Sequence, residues 1–186
     1  MFPTAAPPQR SYITGIIIFL TPVGMFFLAL TSALVVRKGL SGDWMPLVLP
    51  NILWATTAVI LLSSFTLEVA RRQLAQQQAG KFRLWWGITT VLGFGFLAGQ
   101  YMAWQDLAGQ GIFVSSNPSS SFFYVLTGAH GVHLAGGLVA LLLVGFRNAQ
   151  AWRRLTLPTA VRVSAFYWHF MGGLWVYLYL LLWLGR

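Results

Sequence analysis

The sequence contains no cysteine, and only three of its 186 residues are acidic. Without cysteine there is no disulfide, thiolate zinc site, cysteine-ligated iron–sulfur cluster or thioether haem attachment. Charged residues of both signs amount to 8%, against about 25% in an ordinary soluble domain. Twelve lysines and arginines with three carboxylates cannot coat a globule of this length, while 57% of the residues are hydrophobic and the mean hydropathy is +0.69. Such a chain needs lipid as the solvent for most of its surface. The formal net charge of +9 would suggest nucleic acid in a soluble protein. Here the basic residues punctuate long apolar runs, so the charge reports membrane topology and anionic headgroups, and no nucleic-acid partner is expected.

A helix needs about 20 apolar residues to cross the hydrocarbon core. Uncharged stretches predict five such spans, at about 12–36, 47–70, 84–105, 121–146 and 159–184. Pro46 and Pro50 delay the second. The 40 uncharged residues from Leu107 to Phe146 are too many for one crossing, and the turn-forming run from Ser115 to Ser120 places the start of the fourth helix near Ser121. Pro158 suits the first turn of the fifth, where a missing N–H costs little. The first run is too long for a signal peptide and is expected to be retained. With no internal repeat, the expected fold is an all-α integral membrane protein, a single transmembrane domain over residues 1–186 built as a five-helix bundle. Nine basic residues (Arg10, Arg71, Arg72, Lys81, Arg83, Arg147, Arg153, Arg154 and Arg162) fall on one side, and Arg37, Lys38 and Arg186 on the other. The positive-inside rule then puts the N-terminus in the cytoplasm and the C-terminus outside. Arg71, Arg72, Lys81, Arg83, Arg153, Arg154 and Arg162 become candidate lipid-headgroup contacts.

Polar groups inside a bilayer are costly and therefore candidates for function. Glu68, with Arg71 and Arg72 at i+3 and i+4, predicts an interfacial ion pair. Asp106 ends the third span and Asp43 lies in a loop, so no carboxylate falls at mid-membrane and no proton relay within this chain is expected. His130 and His133, spaced i, i+3, share a face of the fourth helix, about 13 and 18 Å from its start by helical rise. His169 lies at similar depth on the fifth. Imidazole is a common haem and metal ligand. With no carboxylate nearby to support a ligand, neutral histidines tied into interhelical hydrogen bonds with groups such as Thr127, Gln100 and Tyr167 are the favoured reading. Gly95 and Gly99 form a GxxxG edge on the third helix. Gly128, Gly131 and Ala135 form a second small-residue edge on the fourth, and both predict close helix approach. Trp44, Trp85, Trp86, Trp152 and Trp183, near span ends, read as interfacial anchors.

Three blocks carry a resemblance. They are Gly93-Phe94-Gly95-Phe96-Leu97-Ala98-Gly99-Gln100, then Ser121-Phe122-Phe123-Tyr124-Val125-Leu126-Thr127-Gly128-Ala129-His130-Gly131-Val132-His133, then Phe166-Tyr167-Trp168-His169-Phe170 with Leu174-Trp175-Val176. In this order, with Phe19-Leu20 and Met25-Phe26-Phe27 on an early helix, the chain resembles subunit III of the haem-copper cytochrome c oxidases, in the short five-helix bacterial form. Three acidic positions of the family pattern are occupied here by Val23, Ala103 and Gly172, so roles carried by those acids do not transfer.

The resemblance implies a non-catalytic, accessory subunit of a proton-pumping oxygen reductase in aerobic respiration. Such a subunit stabilises the catalytic subunit, holds lipid in a cleft and supports proton uptake. It implies that this chain holds no cofactor or metal and has no catalytic residue, with haem and copper in partner subunits. The implied partners are the catalytic subunit I, subunit II, phospholipids and a larger respiratory supercomplex, in the bacterial cytoplasmic membrane. His130, His133, His169, Trp168, Gln100 and Thr127 are then the structural hydrogen-bonding set. The equivalent subunit of a quinol oxidase or nitric oxide reductase is an alternative. So is a membrane cytochrome holding haem b between His169 and His130 or His133.

Overall fold

A computed structural model of the chain describes residues 9–40, 42, 44–150 and 157–185. Among them the chain forms five helices: α1 (Gln9–Leu40), α2 (Ile52–Ala75), α3 (Ala79–Gly109), α4 (Pro118–Gln150) and α5 (Leu157–Gly185). Helices α1, α3, α4 and α5 are longer than their uncharged runs predict, whereas α2 keeps the expected length but is displaced, beginning after Pro46 and Pro50 and running on to Ala75. The extra turns carry polar residues, such as Arg71 to Ala75 on α2 and Ala79 to Arg83 on α3. Backbone hydrogen bonding does not end where apolarity does. Helix α4 starts three residues earlier than expected because Asn117 caps it: the Ser120 N–H donates to Asn117 Oδ1 (2.8 Å), and Ser120 Oγ accepts from the Asn117 N–H (3.3 Å). Pro118 occupies the first helical position, where its ring is preorganised.

Helices α2, α3, α4 and α5 close a ring in which each packs on two neighbours, α2 against α3 and α5, α4 against α3 and α5. Among the described residues, helix α1 packs on α4 and α5 alone of the other helices. Paired residues fix the directions. Thr66 meets Thr89 and Gln100 meets Thr56, so α2 and α3 are antiparallel. Ser63 meets Trp168 and Thr57 meets Trp175, so α2 and α5 are antiparallel as well. Trp104 meets Thr127 and Trp86 meets Leu141 across α3 and α4. Thr31 meets Tyr177, and Gly24 faces Phe170, so α1 and α5 run the same way. This up-and-down order gathers Arg71, Arg72, Lys81, Arg83 and Arg162 at one end of the bundle and Arg37 and Lys38 at the other.

Four helices are long and apolar enough to cross a membrane, over Thr14–Leu40, Ile52–Ala75, Pro118–Phe146 and Leu157–Gly185. Helix α3 is not among them. Its tryptophans, glycines, Gln100 and Gln105 lower its hydropathy, although it spans 31 residues. The outside of the bundle is apolar, with Ile18, Phe19, Phe65, Val91, Val132 and Leu184 among its exposed side chains. The inside holds Phe27, Phe96, Phe123, Trp168 and Trp175 fully buried.

Helices α2 and α3 end in the same way, with different residues. The Gln78 N–H bonds to Gln73 O (3.0 Å) and the Gln77 N–H to Leu74 O (3.0 Å), with Gln77 at φ +59°. After α3 the Ile112 N–H bonds to Leu107 O (2.9 Å) and the Gly111 N–H to Ala108 O (3.0 Å), with Gly111 at φ +75°. Both are Schellman caps, which call for a left-handed residue. Glycine meets that need at Gly111, whereas an exposed glutamine is strained into it at Gln77. Replacing Gln77 by glycine should raise stability by about 0.5–1 kcal/mol. A thermal melt of the purified protein in detergent checks this, and a fall in midpoint would contradict it.

Candidate functional site

Inside the bundle, the hydroxyls of Thr31, Thr56, Thr57, Ser63 and Thr127 share one logic. Each spends its single proton on a carbonyl one turn back along its own helix, at 2.7–3.0 Å. Its lone pairs remain open, and a donor from a neighbouring helix fills them. Gln100 Nε2 donates to Thr56 Oγ1 (3.2 Å), Trp175 Nε1 to Thr57 Oγ1 (3.0 Å) and Trp168 Nε1 to Ser63 Oγ (2.9 Å). Trp104 Nε1 donates to Thr127 Oγ1 (3.1 Å) and Tyr177 Oη to Thr31 Oγ1 (3.1 Å). Indole N–H only donates, so a hydroxyl already committed as a donor is its natural complement. Trp168, Gln100 and Thr127 thus all lie in interhelical bonds. Their partners Ser63, Thr56 and Trp104, and the separate pair of Thr57 with Trp175, are not in the set drawn from sequence. The signal for them was the recurrence of Thr56, Ser63 and Thr66 on one face of α2, all buried.

The three histidines behave differently from the expectation. His130 is fully buried, and neither ring nitrogen has a hydrogen-bond partner among the described residues. Its neighbours are rings: Trp175 at 5.2 Å between centroids, Phe96 at 5.8 Å and Phe27 at 6.4 Å. Helices α1, α3 and α5 each present an aromatic side chain here, and the indole nitrogen of Trp175 is turned to Thr57, so no polar group reaches the imidazole. His133 is half-buried and bonds through Nδ1 to Ala129 O (2.8 Å), within its own helix. Its backbone carbonyl accepts an interhelical hydrogen bond from Tyr167 Oη (2.7 Å), while the ring packs against Phe27 of α1 at 5.6 Å between centroids. His169 lies on the exposed side of α5 with no hydrogen-bond partner among the described residues. The structure therefore does not bring His169 together with the α4 pair. Among the described residues no group of three or more His, Cys, Asp or Glu side chains is placed to hold a metal ion.

The three positions without the family's acids are closed by packing. Ala103 is fully buried, and Val23 packs against the core. A Cβ on Gly172 would stand 3.1 Å from Ser64 Oγ, so α2 lies directly against α5 there. The GxxxG edge of α3 works as expected: a Cβ at Gly99 would run into Thr56 Cγ2, and one at Gly95 would lie 3.9 Å from Val59. The edge predicted on α4 holds at Gly128, where a Cβ would lie 3.8 Å from Trp104, but not at Gly131, which has open space beside it; the closest approaches fall at Gly137, against Tyr167, and Gly145, against Trp86. Trp86 is likewise no interfacial anchor; it is buried, and its Nε1 donates to Leu141 O (3.0 Å).

At the basic end, Arg71 holds Glu68 through two bonds (2.8 and 2.7 Å) and Arg72 adds a third (3.2 Å). That is the ion pair the spacing predicts. Lys81, Arg83 and Arg162 are exposed; Arg153, Arg154 and Trp152 lie outside the described residues. A cleft of about 580 Å³ opens between the start of α1 and the α4–α5 pair, bounded by Ile16, Phe19, Gly136, Val163, Ser164 and Tyr167.

The sequence model of the family described as cytochrome c oxidase subunit III matches residues 6–185. A relative from Nocardia farcinica named as a probable cytochrome c oxidase subunit 3 is 33% identical, over 89% of this chain and 83% of its own length. The cytochrome c oxidase subunit 3 of Synechocystis is 30% identical over 91% of this chain and 74% of its own. A probable cytochrome c oxidase subunit 3 of Mycobacterium leprae is 30% identical, over 92% and 87%.

Proposed function

Because the chain belongs to the cytochrome c oxidase subunit III family, we propose that it serves as the non-catalytic subunit III of a proton-pumping haem-copper oxygen reductase. It is a multi-pass membrane protein, and its respiratory role follows from the family. In this reading it docks on the catalytic subunit beside subunit II, in a bacterial cytoplasmic membrane, and the haem and copper belong to those partners. All five helices cross the bilayer as one domain. Helix α3 has charges only at Lys81, Arg83 and Asp106, near its two ends, and is packed between α2 and α4, which shields its weaker hydropathy. The end bearing Arg71, Arg72, Lys81, Arg83 and Arg162 faces the cytoplasm by the positive-inside rule. There it meets anionic lipid and supports proton supply to the partner. The cleft beside α1 is the place for bound lipid within the subunit.

The observation that carries the reading is the bonding of the interior. The interior hydroxyls and indoles and the Gln100 amide nitrogen join helix to helix, and the large apolar side chains outside suit lipid and neighbouring subunits. His130, His133 and His169 have a structural role in this reading. The test is purification of the tagged full chain in mild detergent. Co-purification with a haem-bearing subunit, whose spectrum is unchanged when His133 is replaced by Gln, is expected. A monomeric chain carrying its own haem absorption would overturn the proposal.

A further inference from the structure

Helices α3 and α4 leave a second groove of about 380 Å³. Its walls include Trp86, Gly87, Val91, Phe94, Leu142 and Phe146, and Arg83 stands among its lining residues. The stretch of α3 from Phe82 to Phe94 rises about 18 Å. The volume is too small for a helix, which with its side chains is about 10–12 Å across, but the shape suits one flexible hydrocarbon chain. Trp86 closes the floor by bonding to the Leu141 carbonyl, so the groove does not depend on an unpaired backbone group. Gly87 keeps it open: nothing lies within 4 Å of where its Cβ would be.

Arg83 supplies the other half of the argument. It is exposed, and unlike Arg71 and Arg72 it has no hydrogen-bond or ion-pair partner among the described residues. It sits in the second turn of α3, at the basic end of the bundle, where a long side chain can keep its charge at headgroup level above an apolar wall. A basic group at the mouth of a groove between membrane helices is the arrangement that selects anionic lipid headgroups. We propose that the α3–α4 groove is a binding site for one acyl chain of an anionic phospholipid, with the lipid phosphate held by Arg83. The proposal deepens the lipid-binding part of the proposed function and rests on the chain lying in a membrane.

The test uses the full chain with whatever subunits accompany it, reconstituted in vesicles of phosphatidylcholine and phosphatidylglycerol. Trace phosphatidylglycerol or phosphatidylcholine with a photoactivatable group on the acyl chain is cross-linked, and the labelled peptides are mapped by mass spectrometry. The expected result is phosphatidylglycerol labelling concentrated around Val91 and Leu142. R83Q should lower it about fivefold, the effect of one basic side chain near an anionic surface, and leave phosphatidylcholine labelling unchanged. G87L should reduce labelling by both lipids, since a side chain there fills the groove without meeting a neighbour. R83Q changes an exposed side chain, so a folded variant is available whatever happens to G87L. Equal labelling by the two lipids in the unaltered chain, labelling away from the groove, or no effect of R83Q would each overturn the proposal. A failure to co-purify a haem-bearing subunit counts against the proposed function alone and leaves the labelling comparison intact.

Discussion

Replacing Trp168 by alanine should destabilise the bundle by about 3 kcal/mol, the low end of the range for tryptophan truncation in soluble cores. The low end is appropriate because an emptied site is compared with acyl chains rather than with water, and packing rather than hydrophobic transfer holds membrane helices together. Trp168 is fully buried and, with Trp175, is one of the two largest side chains buried inside the bundle. Its six-membered ring lies where a Cβ on Gly93 would be, within 2.8 Å, and its other edge passes 3.6 Å from the same point on Gly137. It therefore contacts α3 and α4 while bonding to Ser63 of α2. Truncation leaves a cavity facing two glycines, which have no side chains to collapse into it. The indole bond is the smaller part. A double-mutant cycle of Trp168→Phe with Ser63→Ala should give a coupling of about 0.6 kcal/mol, typical of interhelical bonds in lipid. Thermal unfolding of the detergent-purified protein, followed by helix content, measures both. A loss below 1 kcal/mol for the alanine variant would mean that the ring closes without its central side chain.

The second large effect is expected at Gly99. A methyl group there overlaps Thr56 Cγ2, and Thr56 is also the acceptor for Gln100 Nε2. Gly99→Ala must rotate Thr56 or part α2 from α3. The first breaks the Gln100 bond, and Gln100 Oε1 is already without a partner among the described residues. Overpacking costs about 1–3 kcal/mol, and a newly unpaired buried amide adds about 1–3 kcal/mol, so a loss of roughly 3 kcal/mol is expected. The diagnostic is rescue. Thr56→Ser removes the offending methyl and keeps the oxygen, so Gly99→Ala with Thr56→Ser should recover most of the stability lost by Gly99→Ala alone. If the double variant is no better than the single, the clash is not the cause.

How far the sequence revealed this structure depended on which property was being read. Long uncharged runs located all five helices, since apolarity is a property of the segment. The exact ends escaped because Arg71 to Ala75 and Ala79 to Arg83 continue helices through polar residues, and because Asn117 caps α4 before its apolar run begins. The direction in which a side chain faces was less legible. Glu68 with Arg71 and Arg72 is a local pair on one helix, so spacing alone predicts it. Which glycine of α4 meets a neighbour is set by the rotation of α4 against α3 and α5, and there Gly137 and Gly145 were chosen over Gly131. The same holds for Trp86, whose position near a span end suggested an anchor while the packing of α4 made it core. For His130, the sequence marks a polar group in an apolar helix; only the assembled bundle surrounds it with Phe27, Phe96 and Trp175.

The lone position of α1 bears on how the protein is made. Its partners, α4 and α5, lie in the second half of the chain. Roughly 80 residues separate the end of α1 from the start of α4, which at about 5–20 residues per second leaves α1 several seconds or more without a protein neighbour. It must persist through that interval on lipid contacts alone, and it is the most apolar of the four spanning helices. Helix α3 is in the opposite situation. It is the least suited to standing alone in lipid, yet only the short turn at Gln76 to Gln78 separates it from α2, its most extensive neighbour, so it can enter as one arm of a hairpin. The order of synthesis and the apolarity of each helix are matched: the segment that waits longest needs no partner, and the one that needs a partner receives it at once.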